Sequence, residues 1–322
     1  MQYYAKRGGI GNALAVTLKK AGLLSNENYR ALKCSKKFER YFQQLKPERY
    51  LEELKEQIFL FVENGREYNM EQPRTFNEKI QWLKIYDNLP IKAELSDKYA
   101  VRKWIKEKIG EQYLVPLVGG PWENGEEIDF DLLPERFVLK ANHGSGMNLI
   151  VKDKRKLDIP KTIKTVNGWM DTLFGWNGME TQYFTIPRRI IAEEYIEQSD
   201  GNLLDYKIYC HNGKPLYFQM IGNRDFETHS GRLAFFDLDW NLQDFNTGDY
   251  PDYEYLLDKP ENLCELIQIA EVLAEGFKFV RVDLYEINGE VKFGEMTFTP
   301  GNGFLPWKPK EANERMGNLL DI

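Results

Sequence analysis

Three stretches of the sequence contain residues whose types and spacing are suited to binding a polyphosphate. In the first, FVLKANHGSGMNLIVKD, Lys140 ends an apolar run and Gly144, Ser145 and Gly146 follow before a second apolar run. Glycines at a hairpin tip let backbone N–H groups approach a ligand closely. With a nearby ammonium group they predict a phosphate-binding tip, although an ordinary surface hairpin would also fit this pattern.

The second stretch, VRVDLYEINGEVKFGEMTFTPGNG, places Asp283 on one expected strand and Glu295 on the next. Asn288-Gly289 lies about midway, so pairing of the strands would turn both carboxylates into one cleft. Two carboxylates and triphosphate oxygens form a hard oxygen site suited to Mg²⁺. Arg281 shares the strand face of Asp283 and could hold a phosphoryl oxygen or a developing oxyanion. Solvent-facing acids on an exposed sheet are the alternative.

The third stretch is RRIIAEEYIEQSDGNLLDYKIYCHNGK. An apolar strand ends in Glu193-Glu194, and a polar loop leads to Asp205 and Lys207. Backbone groups and a carboxylate at such a strand end can bind a purine edge and ribose hydroxyls, and Lys207 would add a cation for the phosphates. A charged strand end followed by a charged hairpin is the alternative interpretation.

Other chemistry has little support in the sequence, because no Ser-His-Asp or Cys-His spacing occurs among its three histidines and three cysteines. His143 adjoins the glycine tip and could contact phosphate or an acyl acceptor, or be structural. His211 and His229 lack metal-ligand spacing and are expected to be structural. The separated, odd-numbered cysteines and the lack of a signal-peptide pattern predict reduced thiols in a cytoplasmic protein.

The elements that must position these residues change in character along the chain. Residues 1–95 have apolar positions three and four apart, and Thr75 and Glu78 have capping-box spacing, which predicts a mainly helical N-terminal lobe. After about residue 112, short β-branched or aromatic runs are bounded by turn residues. Two Asn-Gly pairs predict tight hairpins. The fold class is therefore expected to be α+β with antiparallel strands.

Length and charge limit the classes of protein further. The chain has 322 residues, more than one core usually supports, and a net charge of −7. Residues 1–40 contain nine Lys or Arg and two acidic residues, so this segment carries +7 and the remainder −14. The basic segment suggests a polyanionic partner or a membrane face, or else a solvated helical surface. The acidic body argues against nucleic-acid binding.

The order of these motifs resembles the ATP-grasp superfamily over about residues 95–305. The helical lead-in, RTFNEKIQWLKIYD and LSDKYAVRKWI, is similar to its TupA-like branch, which is associated with synthesis of cell-surface polysaccharides such as teichuronopeptide. The resemblance implies an ATP-grasp fold in which two α+β subdomains with antiparallel sheets grip ATP. After the lobe of residues 1–95, residues 96–190 would carry the Gly-rich phosphate loop and residues 191–322 the metal site.

The resemblance also implies roles for individual residues, with ATP and Mg²⁺ as cofactors. Its nucleotide-binding positions correspond to Arg102, Lys140, Gly144, Ser145, Gly146, Glu193, Glu194, Ile196 and Lys207, which His143 and Asp205 join on the reasoning above. Arg281 and Lys140 would be the catalytic cations, and Asp283, Glu295 and Thr297 the metal-binding positions. Many members have Asn where this chain has Thr297, a shorter and weaker ligand, so a second Mg²⁺ is in doubt. Asn148 or Asn302 could substitute.

The implied reaction is ligation of a carboxylate and an amine through an acyl phosphate, which needs no protein nucleophile. The expected partners are an amino acid or other amine and a carboxylate-bearing saccharide acceptor, without nucleic acid. The basic N-terminal lobe could hold a lipid-linked or membrane-surface acceptor, so the protein is expected in the cytoplasm or at the membrane periphery. A kinase acting on a sugar hydroxyl and a non-catalytic nucleotide-binding component of a polysaccharide assembly are the alternatives.

Overall fold

The computed structural model of the chain describes residue 69 and residues 71–197, 203–225, 230–248, 250–253 and 257–322. The basic segment 1–40 and most of the expected helical lobe therefore lie outside the described residues. Among the described residues, no helix is long and apolar enough to cross a membrane.

The α-helices of the described residues lie before, between and after the strands. They are α1 (Phe76–Tyr86), α2 (Ile91–Ser96), α3 (Val101–Lys108), α4 (Ile159–Met170), α5 (Phe174–Gly178), α6 (Leu263–Ala274) and α7 (Glu311–Asn318). The first turn of α1 confirms the expected capping box. The Thr75 side chain accepts a hydrogen bond from the Glu78 N–H, and the Glu78 carboxylate accepts one from the Thr75 N–H at 2.9 Å.

The strands form two antiparallel sheets. They are β1 (Leu117–Trp122), β2 (Phe137–Ala141), β3 (Asn148–Val151), β4 (Ile190–Glu194), β5 (Asp205–His211), β6 (Lys214–Asp225), β7 (Ser230–Asp237), β8 (Phe279–Ile287) and β9 (Glu290–Thr297). The first sheet has the order β1-β4-β2-β3 and the second the order β7-β6-β5-β8-β9. This arrangement confirms the expected α+β class with antiparallel sheets.

Both Asn-Gly pairs form hairpin turns, as predicted. Asn212 and Gly213 have φ values of 51° and 76°, and Asn288 and Gly289 have 51° and 83°. Positive φ at both central residues matches the right-handed twist of the flanking strands. The second turn sets the register of β8 against β9 as far as the pair Leu284–Phe293, beyond which the register shifts by one residue.

The second sheet has two chemically different faces, because successive side chains of a strand point to opposite sides. On one face Ile208 and Val282 are fully buried in a core cluster that includes Leu266 of α6. The other face carries Lys207 and Asp283, their neighbours along β5 and β8. The side of the sheet that α6 does not cover therefore carries a charged strip, formed by Asp205 and Lys207 of β5 and Arg281 and Asp283 of β8.

Part of that second face is covered by α1 and α7. Phe76 and Ile80 of α1 and Met316 of α7 form a core cluster with Tyr209 of β5 and with Trp307. Helix α1, which was predicted to belong to the N-terminal lobe, thus packs on the second sheet beside the charged strip. Its apolar positions are buried there because they complete the cover of an otherwise half-exposed sheet.

The change from the first sheet to the second falls later than the expected boundary at residue 190. Strand β4 pairs with β1 and with β2, so residues 190–194 belong to the first sheet. The second sheet begins at β5, after the connecting residues 195–204. The division into residues 1–95, 96–190 and 191–322 as domains remains a prediction.

Candidate active site

A cleft of about 620 Å³ lies between the β2–β3 hairpin and the charged face of the second sheet. Of the predicted site residues it gathers Lys140, Gly144, Ser145, Gly146, Asp205, Lys207, Arg281, Asp283 and Glu295. These residues come from distant parts of the chain, so their assembly on one cleft is a tertiary result.

The β8–β9 hairpin brings the acidic pair together, as predicted, but through an irregularity: the register of the two strands shifts between Leu284 and Asp283. Asp283 lies directly opposite Glu295 in the register of the two strands. Arg281 binds both oxygens of Asp283, with Nε–Oδ1 and Nη2–Oδ2 distances of 2.7 Å each. Its Nη2 also donates to Thr297 Oγ1 at 3.1 Å and lies 3.6 Å from Glu295 Oε1. Arg281 therefore organises this end of the hairpin.

Lys207 completes the charged strip from the neighbouring strand. Its ammonium pairs with Asp205 Oδ2 at 2.8 Å and with the carboxylate of Asp283. Burial raises the pKa of Asp283, and the charges of Arg281 and Lys207 oppose that shift. The strip thus alternates anions and cations in a site shielded from water, where such interactions are stronger than at a surface.

Glu295 is the more accessible member of the acidic pair, with 33% of its side chain exposed. Burial alone would raise its pKa, but Lys98, Lys207 and Arg281 lower it to about 2. The carboxylate therefore stays ionised at neutral pH and presents oxygen atoms to the cleft.

Lys98 is a cleft residue that the sequence reasoning missed. Its ammonium donates to the Gly144 carbonyl at 2.6 Å and lies 3.4 Å from Glu295 Oε2, so it bridges the glycine tip and β9. The signal was present in DKYAVR, four residues before Arg102. Arg102 instead donates to Val115 O at 2.8 Å and lies 3.3 Å from Glu193 Oε1.

Glu193 is shared by two predicted nucleotide-binding cations. Besides Arg102, it accepts from Lys140 Nζ at 2.5 Å across the β2–β4 pairing. Glu194 ends β4 with its N–H donating to Pro116 O at 2.9 Å. The described residues that line the cleft do not include Arg102, His143, Glu193, Glu194, Ile196 or Thr297.

The glycine tip is built by close approach. Strands β2 and β3 pair with Lys140 opposite Asn148, as the hairpin prediction required. A Cβ atom at Gly144 would lie 2.5 Å from Cγ of Phe174, so a side chain cannot fit at this position without displacing its neighbour. Because Gly144 has no side chain, the backbone of the tip can pack directly against the Phe174 ring.

His143 is buried on the inner side of this tip, with 3% of its surface exposed. Its Nε2 lies 3.2 Å from Trp169 O. Burial lowers the pKa of His143 to about 4, and the charges of Arg188 and Lys98 act in the same direction. A neutral, buried imidazole favours the structural alternative for this residue.

The acidic pair fits the oxygen chemistry of Mg²⁺. In proteins this ion commonly takes one or two carboxylates and completes its shell with phosphate oxygens and water. Asp283 and Glu295 would supply the carboxylates. In the part of the chain that is described, no group of three or more His, Cys, Asp or Glu side chains is gathered as a metal cluster. Such a site therefore depends on the nucleotide for its remaining ligands.

Thr297, the third predicted metal-binding position, is hydrogen-bonded to Arg281. The Thr297 hydroxyl accepts from Arg281 and lies 3.5 Å from Glu295 Oε1, so it helps to orient the arginine. In the orientation that satisfies both groups, the side-chain amide of Asn302 donates to Glu180. Asn148 lines the cleft.

Two antiparallel sheets, a glycine-rich tip with lysines on one side and an arginine with paired acids on the other define a nucleotide-binding fold of the ATP-grasp class. Residues 78–321 match the family model described as TupA-like ATPgrasp. The chain belongs to the TupA-like ATP-grasp family, which confirms the resemblance found in its motifs. No curated protein matches the chain.

Several solved structures are similar to parts of the chain. One is D-alanine–D-alanine ligase from Bacillus anthracis, with 18% identity, a TM-score of 0.39 and coverage of 64% of this chain and 57% of that one. Another is N5-carboxyaminoimidazole synthase from Aspergillus clavatus in complex with ADP and 5-aminoimidazole ribonucleotide, with 10% identity, a TM-score of 0.37 and coverage of 64% and 44%. The chain spans less than two thirds of the length of both.

A third similar structure is D-alanine–D-alanine ligase from Helicobacter pylori, with 13% identity and a TM-score of 0.40. The likeness covers 76% of this chain and 69% of that one.

Proposed function

We propose that this protein is an ATP-dependent carboxylate–amine ligase that forms an amide through an acyl phosphate. One observation carries the proposal: the acidic pair Asp283–Glu295 and the cation Arg281 face the glycine tip across a single cleft. Membership of the TupA-like ATP-grasp family supports the same reaction class.

The charge of the cleft suits a reaction between two anions. A substrate carboxylate and the terminal phosphate of ATP repel each other, so their approach requires compensating positive charge. Among the described residues, four cationic side chains line the cleft: Lys98, Lys140, Lys207 and Arg281. When bound, Mg²⁺ would neutralise further charge on the phosphate oxygens.

The reaction balances without a nucleophile from the protein. A carboxylate oxygen of the substrate attacks the γ-phosphorus and ADP leaves. The amine nitrogen then attacks the acyl carbon, loses a proton, and inorganic phosphate leaves. The contribution of this chain is alignment and charge neutralisation, with Arg281 placed beside the acidic pair to stabilise the transferred phosphoryl group.

We propose that the substrates are an amino acid or other amine and a carboxylate-bearing component of a cell-surface polysaccharide. The TupA-like branch suggests this substrate class. The competing possibilities are a kinase that phosphorylates a sugar hydroxyl and a non-catalytic nucleotide-binding component.

A substrate screen would test the reaction. Amino acids would be paired with uronic-acid acceptors, and ATP-dependent phosphate release measured before mass spectrometry of the products. Amine-dependent phosphate release and an amide product are expected. A stable phosphosugar would favour the kinase, and tight ATP binding without turnover would favour the non-catalytic component.

The basic segment 1–40, which lies outside the described residues, is proposed to bind a lipid-linked or acidic acceptor at the membrane face. Replacing Lys33, Lys36 and Lys37 with Gln should weaken acceptor binding about 10- to 100-fold, because each positive charge near an anionic surface contributes about 1 kcal/mol, and less when salt screens it. ATP affinity should stay unchanged. Binding of both ligands would be measured by calorimetry.

A matched control for that variant removes three lysines from exposed positions of α3: Lys103, Lys106 and Lys108, whose side chains are 82%, 57% and 41% exposed. Equal weakening of acceptor binding by the control, or equal loss of ATP and acceptor affinity in the test variant, would contradict this role.

A further inference from the structure

Residues 171–187, between α4 and β4, contact the loops on both sides of the cleft. At one end Phe174 packs directly beneath the glycine tip, where a Cβ atom at Gly144 would lie 2.5 Å from its ring. The Phe174 ring also contacts Tyr183 edge to face, with centroids 5.0 Å apart. The tip of the β2–β3 hairpin therefore rests on this segment.

Glu180 and Gln182 of the same segment hold the loop that follows β9. The Thr299 hydroxyl donates to the carboxylate of Glu180 and accepts from Gln182 Nε2 at 2.8 Å. The side-chain amide of Asn302 donates to the same carboxylate. Glu180, Gln182 and Thr299 are 4%, 4% and 5% exposed, so these bonds are made away from water.

Two side chains of helix α1 donate hydrogen bonds to backbone carbonyl groups of the same loop. Lys84 Nζ donates to Asn302 O at 2.5 Å and to Gly178 O at 2.8 Å. Gln81 Nε2 donates to Asn302 O at 2.8 Å and to Gly303 O at 3.1 Å. Buried polar groups are costly unless each has its partners, so a connected set of this kind specifies one path of the backbone.

The loop held in this way, residues 299–303, reaches the reacting groups. It begins two residues after Thr297, the partner of Arg281. Gly301 at its centre is exposed and lines the cleft, and Leu305 lines it just beyond the loop. A shift of this loop would therefore change the wall of the cleft next to Arg281.

Glu180 is also linked to the cleft electrostatically. Burial raises its pKa to about 6, against the opposing effects of Lys84 and Thr299, and the charge of Glu295 adds to the increase.

We propose that residues 171–187 form a clasp that positions both loops of the cleft, and that Glu180 is the positioning residue that holds residues 299–303 beside the reacting groups. The effect on catalysis rests on the proposed ligase function, whereas the ordering of the loop does not. The glycine tip contacts Phe174, whereas the carboxylate of Glu180 contacts residues 299–303. Loss of that carboxylate therefore affects turnover more than nucleotide binding.

Two conservative substitutions test the clasp. Glu180→Gln keeps the shape of the side chain but removes its charge, and it places an N–H₂ group near the two donors Thr299 and Asn302. Thr299→Val removes the hydroxyl that joins Glu180 to Gln182. The matched controls are Glu107→Gln, whose side chain is 64% exposed, and Thr165→Val at a partly exposed position of α4. Each protein would be studied as the full chain.

The first measurement is hydrogen exchange of the amides of residues 299–305, together with calorimetric binding of a non-hydrolysable ATP analogue with Mg²⁺. In both clasp variants the amides of this loop should exchange about tenfold faster. Local opening of residues 299–305 would no longer have to break the buried hydrogen bonds between Glu180, Gln182 and Thr299. Their affinity for the analogue should stay within about twofold of wild type, and the controls should match wild type in both measurements.

The second measurement uses the substrate pair identified by the screen. Turnover per folded molecule should fall about 10- to 100-fold in both variants while the KM for ATP is unchanged, since a misplaced wall affects alignment of the reacting atoms. Unchanged loop exchange would overturn the clasp, as would a lower melting temperature with normal turnover per folded molecule. If wild type has no turnover with any pair, the ligase proposal fails and the exchange data still decide the clasp.

Discussion

At the scale of single residues, the two carboxylates of the β8–β9 hairpin have different environments although they lie opposite each other. Asp283 is held by Arg281 and Lys207 and is 1% exposed, whereas Glu295 is partly open to the cleft. Substitution of the two acids should therefore have different consequences, which the sequence pattern alone did not distinguish.

Glu295→Gln should reduce turnover about 100- to 1,000-fold with little change in the fold, because it removes an ionised oxygen donor at an accessible position. Asp283→Asn should also abolish turnover but cost about 1–3 kcal/mol of stability, since Arg281 and Lys207 each lose a buried charged partner and keep only Glu295 and Asp205 respectively. Phosphate release and thermal unfolding would measure the two effects.

The control for both variants is Glu290→Gln on the same hairpin, where the side chain is 72% exposed. It should behave like wild type in both assays. Retained turnover in Glu295→Gln would place the metal elsewhere in the cleft.

Lys98 and Arg102 offer a second comparison between residues of one motif. Lys98→Met should weaken ATP binding about tenfold or more, because it removes a cation that joins the glycine tip to Glu295. Arg102→Met should have a smaller effect, since its partners are Glu193 and a backbone carbonyl. Calorimetric titration with ATP would rank them, and the reverse order would support the role that the family resemblance implies for Arg102.

At the scale of elements, the β2–β3 hairpin shows why its tip is rich in glycine. Packing of Phe174 beneath Gly144 leaves no room for a side chain, so the requirement comes from another segment as well as from the ligand. The sequence pattern suggested only the second reason.

Gly144→Ala should displace the tip and lower ATP affinity about tenfold, because the new methyl group overlaps the Phe174 ring. Phe174→Ala in the same chain should recover part of that loss, which would appear as a favourable coupling in a double-mutant cycle of ATP affinities. Gly168→Ala in α4, where a Cβ atom meets nothing within 4 Å, is the control. Additive effects of the two substitutions would exclude direct contact as the cause.

At the scale of the whole molecule, two buried histidines link stability to pH. Burial is the main reason that the pKa values of His143 and His211 are both lowered to about 4. An unfolded chain binds these protons near pH 6.5, so the native state is favoured above that pH and loses this contribution as pH falls toward 4.

The free energy of unfolding should therefore decrease between pH 7 and pH 5, by up to about 1.4 kcal/mol per pH unit for each histidine once pH is below 6.5. His211 packs against the rings of Phe76 and Phe279, so His211→Phe should preserve the packing and reduce the slope by about half. Denaturant unfolding at several pH values would measure it. An identical slope in the variant would show that other groups control acid stability.

Much of the site could be predicted from the sequence because its rules are local. Positive φ at Asn288-Gly289 sets Ile287 opposite Glu290, and regular pairing continues as far as Leu284 opposite Phe293. Uninterrupted pairing would place Gly294 opposite Asp283, and the register shift between Leu284 and Asp283 places Glu295 there instead. Local reasoning also placed Lys140 at the lip of a hairpin. Alternation and turn geometry act over a few residues, so one stretch of sequence is enough to predict each hairpin. The register shift that brings Glu295 opposite Asp283 is not predicted by those two rules.

Only the tertiary structure decided which distant segments meet. Lys84 and Asn302 are separated by 218 positions, and Glu180 and Thr299 by 119, yet each pair is joined by a buried hydrogen bond. The packing of α1 on the second sheet, the bridge made by Lys98 and the contacts of residues 171–187 have the same origin. Such contacts depend on how sheets, helices and loops fill space together, and no local periodicity encodes them.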